Sequence, residues 1–129
     1  MSHRRRVTTD RGPAAIGPYS QAIEAGDFVF VSGQIPIDPA TGALVQGDAA
    51  TQTERVMRNI AAILEAAGTS LDRAVKATIY LKDLKDFEAV NGVYGKAFTG
   101  DPPARSTVEV AGLPRGALLE IEILALKGA

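Results

Sequence analysis

The run Ala-Leu-Leu-Glu-Ile-Glu-Ile-Leu-Ala-Leu, residues 117–126, limits the possible folds more than any other stretch of this chain. Read as extended backbone, it sends Leu119, Ile121, Ile123 and Ala125 to one side and Leu118, Glu120, Glu122, Leu124 and Leu126 to the other. A helix would scatter both rows around its circumference. The segment is therefore expected to be a strand with one side in an apolar core. Its other side carries two carboxylates among three leucines.

The remaining elements follow from the same reasoning. Residues 75–81 alternate cleanly, with Val75, Ala77, Ile79 and Leu81 inward and Lys76, Thr78, Tyr80 and Lys82 outward. Residues 19–25 and 28–33 read as two strands joined at Gly26-Asp27 in a hairpin. The second of them, opening Phe28-Val29-Phe30-Val31, is apolar on both faces and so belongs inside the sheet. Residues 49–67 place Val56, Ile60, Ile63, Leu64 and Ala67 on one helical stripe. Thr51 and Glu54 suit a capping box, and Gly68 stands where a C-terminal cap belongs. A second helix, about residues 84–98, gathers Phe87, Val90, Tyr94 and Ala97 on one face. Gly92 and Gly95 each weaken it by ~1 kcal/mol relative to Ala, so packing must hold it. Residues 39–42 suit a type I turn, and residues 105–110 a further strand. The order ββ-α-β-α-ββ implies an α+β domain, a mixed sheet with two helices packed on one face.

No repeat or linker divides the 129 residues, so 1–129 is expected to be one domain, with residues 1–8 either frayed or a short edge strand. The His3-Arg4-Arg5-Arg6 run is followed by no apolar stretch, which argues against a secretory signal and for a cytoplasmic protein. A formal net charge of -1 provides no general attraction for nucleic acid, and no run is long enough to span a membrane. With no cysteine and one terminal histidine, thiolate chemistry, a His-centred triad and a zinc–sulfur site have no residues to build on. Catalysis would fall to carboxylates, arginine, hydroxyls, backbone groups and water.

In the strand at 105–110, Arg105, Thr107 and Glu109 form one row and Ser106, Val108 and Val110 the other. If this strand pairs antiparallel with 117–126 and the apolar rows share a face, Arg105 joins Glu120 and Glu122 on the side away from the helices. Three leucines beside such charges call for a covering subunit. Arg105 is then either one half of an interfacial ion pair with Glu109, Glu120 or Glu122, or an anchor for a substrate carboxylate, which its planar fork suits. Spacing alone leaves both open.

The motifs add a resemblance. Pro103-Ala104-Arg105-Ser106-Thr107-Val108-Glu109-Val110-Ala111-Gly112-Leu113-Pro114, followed by Leu119-Glu120-Ile121-Glu122, resembles the C-terminal signature of the RidA/YjgF family. Gly17-Pro18-Tyr19-Ser20-Gln21-Ala22 and Val31-Ser32-Gly33-Gln34 resemble its two N-terminal motifs, and Asn91-Gly92-Val93-Tyr94 its second helix. The similarity runs from about Thr9 to Lys127. It implies a chorismate-mutase-like fold, a homotrimer whose sheets form a central barrel, and a 2-iminobutanoate/2-iminopropanoate deaminase that uses no metal or organic cofactor. Such an enzyme converts enamine/imine intermediates released by pyridoxal-phosphate enzymes into 2-keto acids and ammonia. Transferred by position, Arg105 would clamp the substrate carboxylate and Glu120 would position the attacking water. Tyr19, Ser32, Gly33, Asn91 and Thr107 would line the pocket, Thr107 standing where relatives frequently carry cysteine. The alternative is a non-catalytic trimer of the same fold that binds small carboxylates.

Overall fold

The computed structural model describes residues 3–129; residues 1 and 2 of the expected domain lie outside the described residues. Six strands form one sheet in the order β1-β2-β3-β6-β4-β5. They are β1 Arg4–Val7, β2 Ala22–Ala25, β3 Phe28–Gln34, β4 Ala74–Leu81, β5 Ala104–Glu109 and β6 Leu119–Leu126. Two helices, α1 Ala49–Ala66 and α2 Phe87–Gly95, lie against one face. The basic run at the N-terminus is thus part of an edge strand, paired antiparallel with β2 from Arg4↔Ala25 to Val7↔Ala22.

Each element has a local cause. Gly26 takes the positive φ (58°) that the two-residue turn between β2 and β3 requires, as the Gly-Asp pair predicts. Helix α1 begins one turn ahead of the predicted cap: Asp48, not Thr51, is the N-cap, and its carboxylate accepts from the Thr51 N–H at 2.9 Å. Its C-terminus is the expected one. Gly68, at φ 82°, donates to Glu65 and Thr69 donates to Leu64, which closes the last carbonyls in a Schellman turn. The second helix is shorter than the sequence predicts, with a 3₁₀ turn at Leu84–Asp86 before α2, which ends at Gly95. The turn expected at 39–42 begins one residue earlier, where Asp38 O accepts from Thr41 and Gly42.

The core lies between the sheet and α1. Val29, Ile79, Leu81, Leu119 and Ile121 meet Val56, Ile60, Ile63 and Leu64, all fully buried. Each such side chain contributes about 1.5–3 kcal/mol of transfer free energy. Cutting Ile121, at the centre of β6, to Ala would cost about 2–5 kcal/mol because the sheet cannot close the cavity. Val90 and Tyr94 seal the other end from α2. No described helix is long and apolar enough to cross a membrane.

One predicted pairing is wrong. β5 does not pair with β6; it lies parallel to β4, in register from Lys76↔Ala104 to Leu81↔Glu109. β6 instead inserts between β3 and β4, antiparallel to both. The cause is α2, a crossover helix of the kind that returns the chain parallel to the strand it left. Arg105 sits beside Ala77 and Thr107 beside Ile79, and both of those β4 residues point into the core. Arg105 and Thr107 therefore face the helices. Ser106 and Val108 take the helix-free face, Val108 42% exposed. The row assignment for β6 holds, with Glu120 opposite Tyr80 and Glu122 opposite Thr78 on the helix-free face.

Candidate active site

The residues singled out by sequence fall into two groups on opposite sides of the sheet. The first surrounds Arg105 on the edge strand β5. Its guanidinium carbon lies 5.6 Å from the Phe87 ring centre and 5.2 Å from that of Tyr94, both rings supplied by α2. Its Nη1 donates to Asn91 Oδ1 at 2.7 Å. Phe87, Asn91 and Tyr94 recur at helical spacing, so one face of α2 holds the cation by two π contacts and a hydrogen bond. No described carboxylate is within ion-pair distance of Arg105, which excludes a pair with Glu109, Glu120 or Glu122 inside the chain. Glu109 instead accepts from the Leu84 N–H at 2.9 Å. Thr107 Oγ1 and the Tyr94 hydroxyl are buried with no hydrogen-bond partner. Burial pushes the Tyr94 hydroxyl's pKa up, against the opposing pull of Arg105.

The second group lines a cleft of about 680 Å³ on the other side, whose walls include Tyr19, Ser32, Gly33, Glu120, Glu122 and Arg115. A bulge creates it. Between Val31↔Ile123 and Gln34↔Ile121 the β3 strand carries one extra residue, which places Ser32 and Gly33 out of register beside β6. Gly33 is required here: a Cβ at that position would overlap the Glu120 carboxylate, whose Cδ would be 2.9 Å away. Ser32 donates from Oγ to Ser20 O at 2.6 Å and from its backbone to Gln21 O at 3.0 Å. It thus pins the loop that presents Tyr19. Tyr19 lies outside β2, not within a strand as its sequence context predicts, and is 52% exposed.

Glu120 is half-buried and receives no hydrogen bond from the described residues. Burial pushes its carboxyl pKa up, and the nearby charge of Glu122 adds to the rise. Glu122 accepts from the Tyr80 hydroxyl at 2.7 Å.

Sequence reasoning passed over three contributors. Buried Gln21 accepts from Thr9 N and donates to Thr9 O and Pro13 O, which organises the loop ahead of Tyr19. Buried Asn59 holds the cleft wall by donating to Ile37 O at 2.8 Å. Arg115 is the one described non-glycine residue with positive φ (59°), and its Nη1 reaches Gly42 O. The signal available for all three was a polar residue at an otherwise apolar or tight-turn position. Among the described residues no group of three or more His, Cys, Asp or Glu is gathered as a metal site.

A family model described as Endoribonuclease L-PSP matches residues 9–127. A RutC family protein of Pyrococcus abyssi is 55% identical over 121 residues, covering 94% of this chain and 95% of that protein. The 2-iminobutanoate/2-iminopropanoate deaminase of Mus musculus is 42% identical over 125 residues, 97% of this chain and 93% of that one. Among solved structures, a protein of the conserved Rid family from Yersinia pestis matches with a TM-score of 0.94 at 48% identity, covering 96% of this chain and 99% of that chain.

Proposed function

The chain belongs to the RidA/YjgF family, and from that membership we propose that it is a deaminase of short 2-imino acids. Its substrates are 2-iminopropanoate and 2-iminobutanoate. The observation that carries the reading is the condition of two side chains. Arg105 is fixed by Phe87, Tyr94 and Asn91 with no acid partner, and Glu120 is a half-buried carboxylate with no donor. The first suits capture of a planar carboxylate, the second removal of a proton from water. The deaminase name of the mouse relative supports the same chemistry.

The two groups face opposite sides of one sheet, so one protomer cannot apply both to a single small acid. We place the site between copies in a homotrimer, the Arg105 edge of one protomer closing the Glu120 cleft of the next. Exposed Phe28, Phe30 and Val108 on the helix-free face support burial of that face against other protomers around a central barrel. Arg105 anchors the carboxylate, with Asn91 and Thr107 beside it. Glu120 takes a proton from water as the oxygen attacks the imine carbon, giving a carbinolamine. Glu120 returns the proton to nitrogen, then takes the carbinolamine hydroxyl's proton as the C=O forms and the C–N bond breaks, and ammonia and the 2-keto acid leave. Tyr19, Ser32 and Gly33 shape the opposite wall. Orientation of one water against an already electrophilic carbon supplies much of the acceleration.

With a net charge of -1 the chain has no general attraction for RNA, so the deaminase reading is preferred over the activity in the family's description. The test couples the protein to a pyridoxal-phosphate dehydratase and follows 2-keto acid release. Acceleration by the parent and its loss, by about 100-fold or more, in Arg105→Ala is expected. Equal acceleration by Arg105→Ala defeats the anchoring role. A protein that binds 2-ketobutanoate yet leaves imine decay unchanged is the non-catalytic alternative.

A further inference from the structure

Tyr80 is the register partner of Glu120 across β4 and β6, yet its hydroxyl does not serve that residue. It reaches along the sheet to the diagonal neighbour and donates to Glu122 Oε1 at 2.7 Å. Glu120, turned toward Gly33 in the β3 bulge, keeps its carboxylate free of donors. We infer that Tyr80 and Glu122 are positioning residues for Glu120: the phenol holds the Glu122 carboxylate beside it, so that Glu120 works as a base strengthened by a like charge.

Every charged or titratable group facing the pair is consistent with this. On β4, Lys82 shares the face but donates to Ala111 O at 2.8 Å, and Lys76 contacts Ser106 Oγ at 3.4 Å. β5 presents only Ala104, Ser106 and Val108 there, and β3 presents Phe28, Phe30 and Ser32. From the loops come Tyr19, which contacts Ile16 N, and Arg115, which is held on Gly42 O. Within the protomer no described cation is within ion-pair distance of Glu120 or Glu122. The Arg105 that the proposed assembly brings to this cleft is engaged by the substrate carboxylate, so the two carboxylates repel one another. The Tyr80 hydroxyl's pKa is pushed up, first by its bond to Glu122 and then by burial. It therefore remains a protonated donor throughout the range in which carboxylates titrate. Had it donated to Glu120, it would have stabilised the ionised form and weakened the base.

The inference rests on Glu120 being the proposed base, so its test reads Glu120 directly as well as through turnover. The carboxyl carbon of Glu120 is titrated by NMR in the parent, Glu122→Gln, Tyr80→Phe and the double variant, and pH–rate profiles are recorded beside it. In Glu122→Gln the Glu120 midpoint falls by on the order of one pH unit, the effect of one unit charge about 7 Å away in a half-buried site. Tyr80→Phe moves it the same way by less, since the carboxylate it releases turns toward solvent. It adds nothing in the Glu122→Gln background, because Tyr80 acts through Glu122. Glu122→Asp, which keeps the charge, stays near the parent and separates charge from packing. An unmoved midpoint in Glu122→Gln overturns the inference, as does a Tyr80→Phe shift that survives in the double variant. If the midpoints move as stated in a protein that leaves imine decay unchanged, the coupling stands and the deaminase reading falls. If they stay fixed in an active protein, only the coupling falls.

Discussion

Arg105 and Glu120 lie on opposite faces of the same sheet, Arg105 beside core-facing Ala77 on β4 and Glu120 beside outward-facing Tyr80 on the same strand. A small substrate that needs both must take them from different protomers. Complementation follows directly. Arg105→Ala and Glu120→Gln should each be inactive alone, yet mixed trimers refolded from equal amounts should regain about a quarter of the parental sites, the share in which a cyclic assembly joins two intact halves. Activity of the refolded mixture, measured against each variant alone, decides it. No recovery in mixed trimers verified by mass would place the two residues in one protomer's site.

The sequence carried the elements better than their neighbours. Period-two alternation identified β4 and β6, and the stripe from Val56 to Ile63 identified α1, because one-sided burial writes its period into the residues. β5 was misplaced because an edge strand has a polar and an apolar row whichever way it pairs. Val108, the apolar side chain assigned to the core, is exposed, and Arg105, assigned away from the helices, is covered by Phe87 and Tyr94. Alternation cannot distinguish a long-range parallel partner from a nearby antiparallel one. The N-terminal strand was left open between frayed chain and edge strand for a related reason: Arg4 to Arg6 look like a solvated tail, and only Val7 enters the core. Motif resemblance did name residues that gather around Arg105 and Glu120, but gave no hint of the Tyr80–Glu122 bond.

Gly33→Ala should impair turnover without unfolding the chain. The atoms nearest the added Cβ all belong to the flexible Glu120 side chain, which can swing aside. A carboxylate displaced by about 1 Å costs on the order of 100-fold in kcat. Thermal unfolding close to that of the parent, together with a depressed kcat, is the expected pair of results. Equal kcat would mean that Glu120's position against Gly33 is immaterial.

Glu120→Gln should stabilise the fold near neutral pH. The carboxyl binds its proton more tightly in the folded state than in the unfolded chain, because burial and then Glu122 penalise its charge. Its favourable contribution is therefore present below the ordinary carboxylate range and lost as pH rises through the raised folded value. The neutral amide escapes that loss. Tm of the variant should exceed the parent's at pH 7, and the gap should close on acidification to about pH 4, in the ordinary carboxylate range. A gap that widens on acidification would reverse the sign. Lost activity alongside gained stability is the usual trade at a functional carboxylate.

The aromatic pair around Arg105 should separate binding from stability. Phe87→Ala removes one π face, worth about 0.5–2 kcal/mol to a cation, so KM should rise roughly 2- to 30-fold. kcat should change less, since Glu120 lies across the sheet from this contact. Tyr94→Phe keeps its ring 5.2 Å from the guanidinium carbon but deletes a hydroxyl that is buried without a partner. Removing an unsatisfied buried group relieves its desolvation cost, so stability should rise by about 1 kcal/mol with KM unchanged. Chemical denaturation and steady-state kinetics on both variants read the two effects. If Tyr94→Phe instead raises KM, the hydroxyl contacts substrate once a second protomer closes the site, and its lack of a partner in the single chain marks a place kept for the ligand.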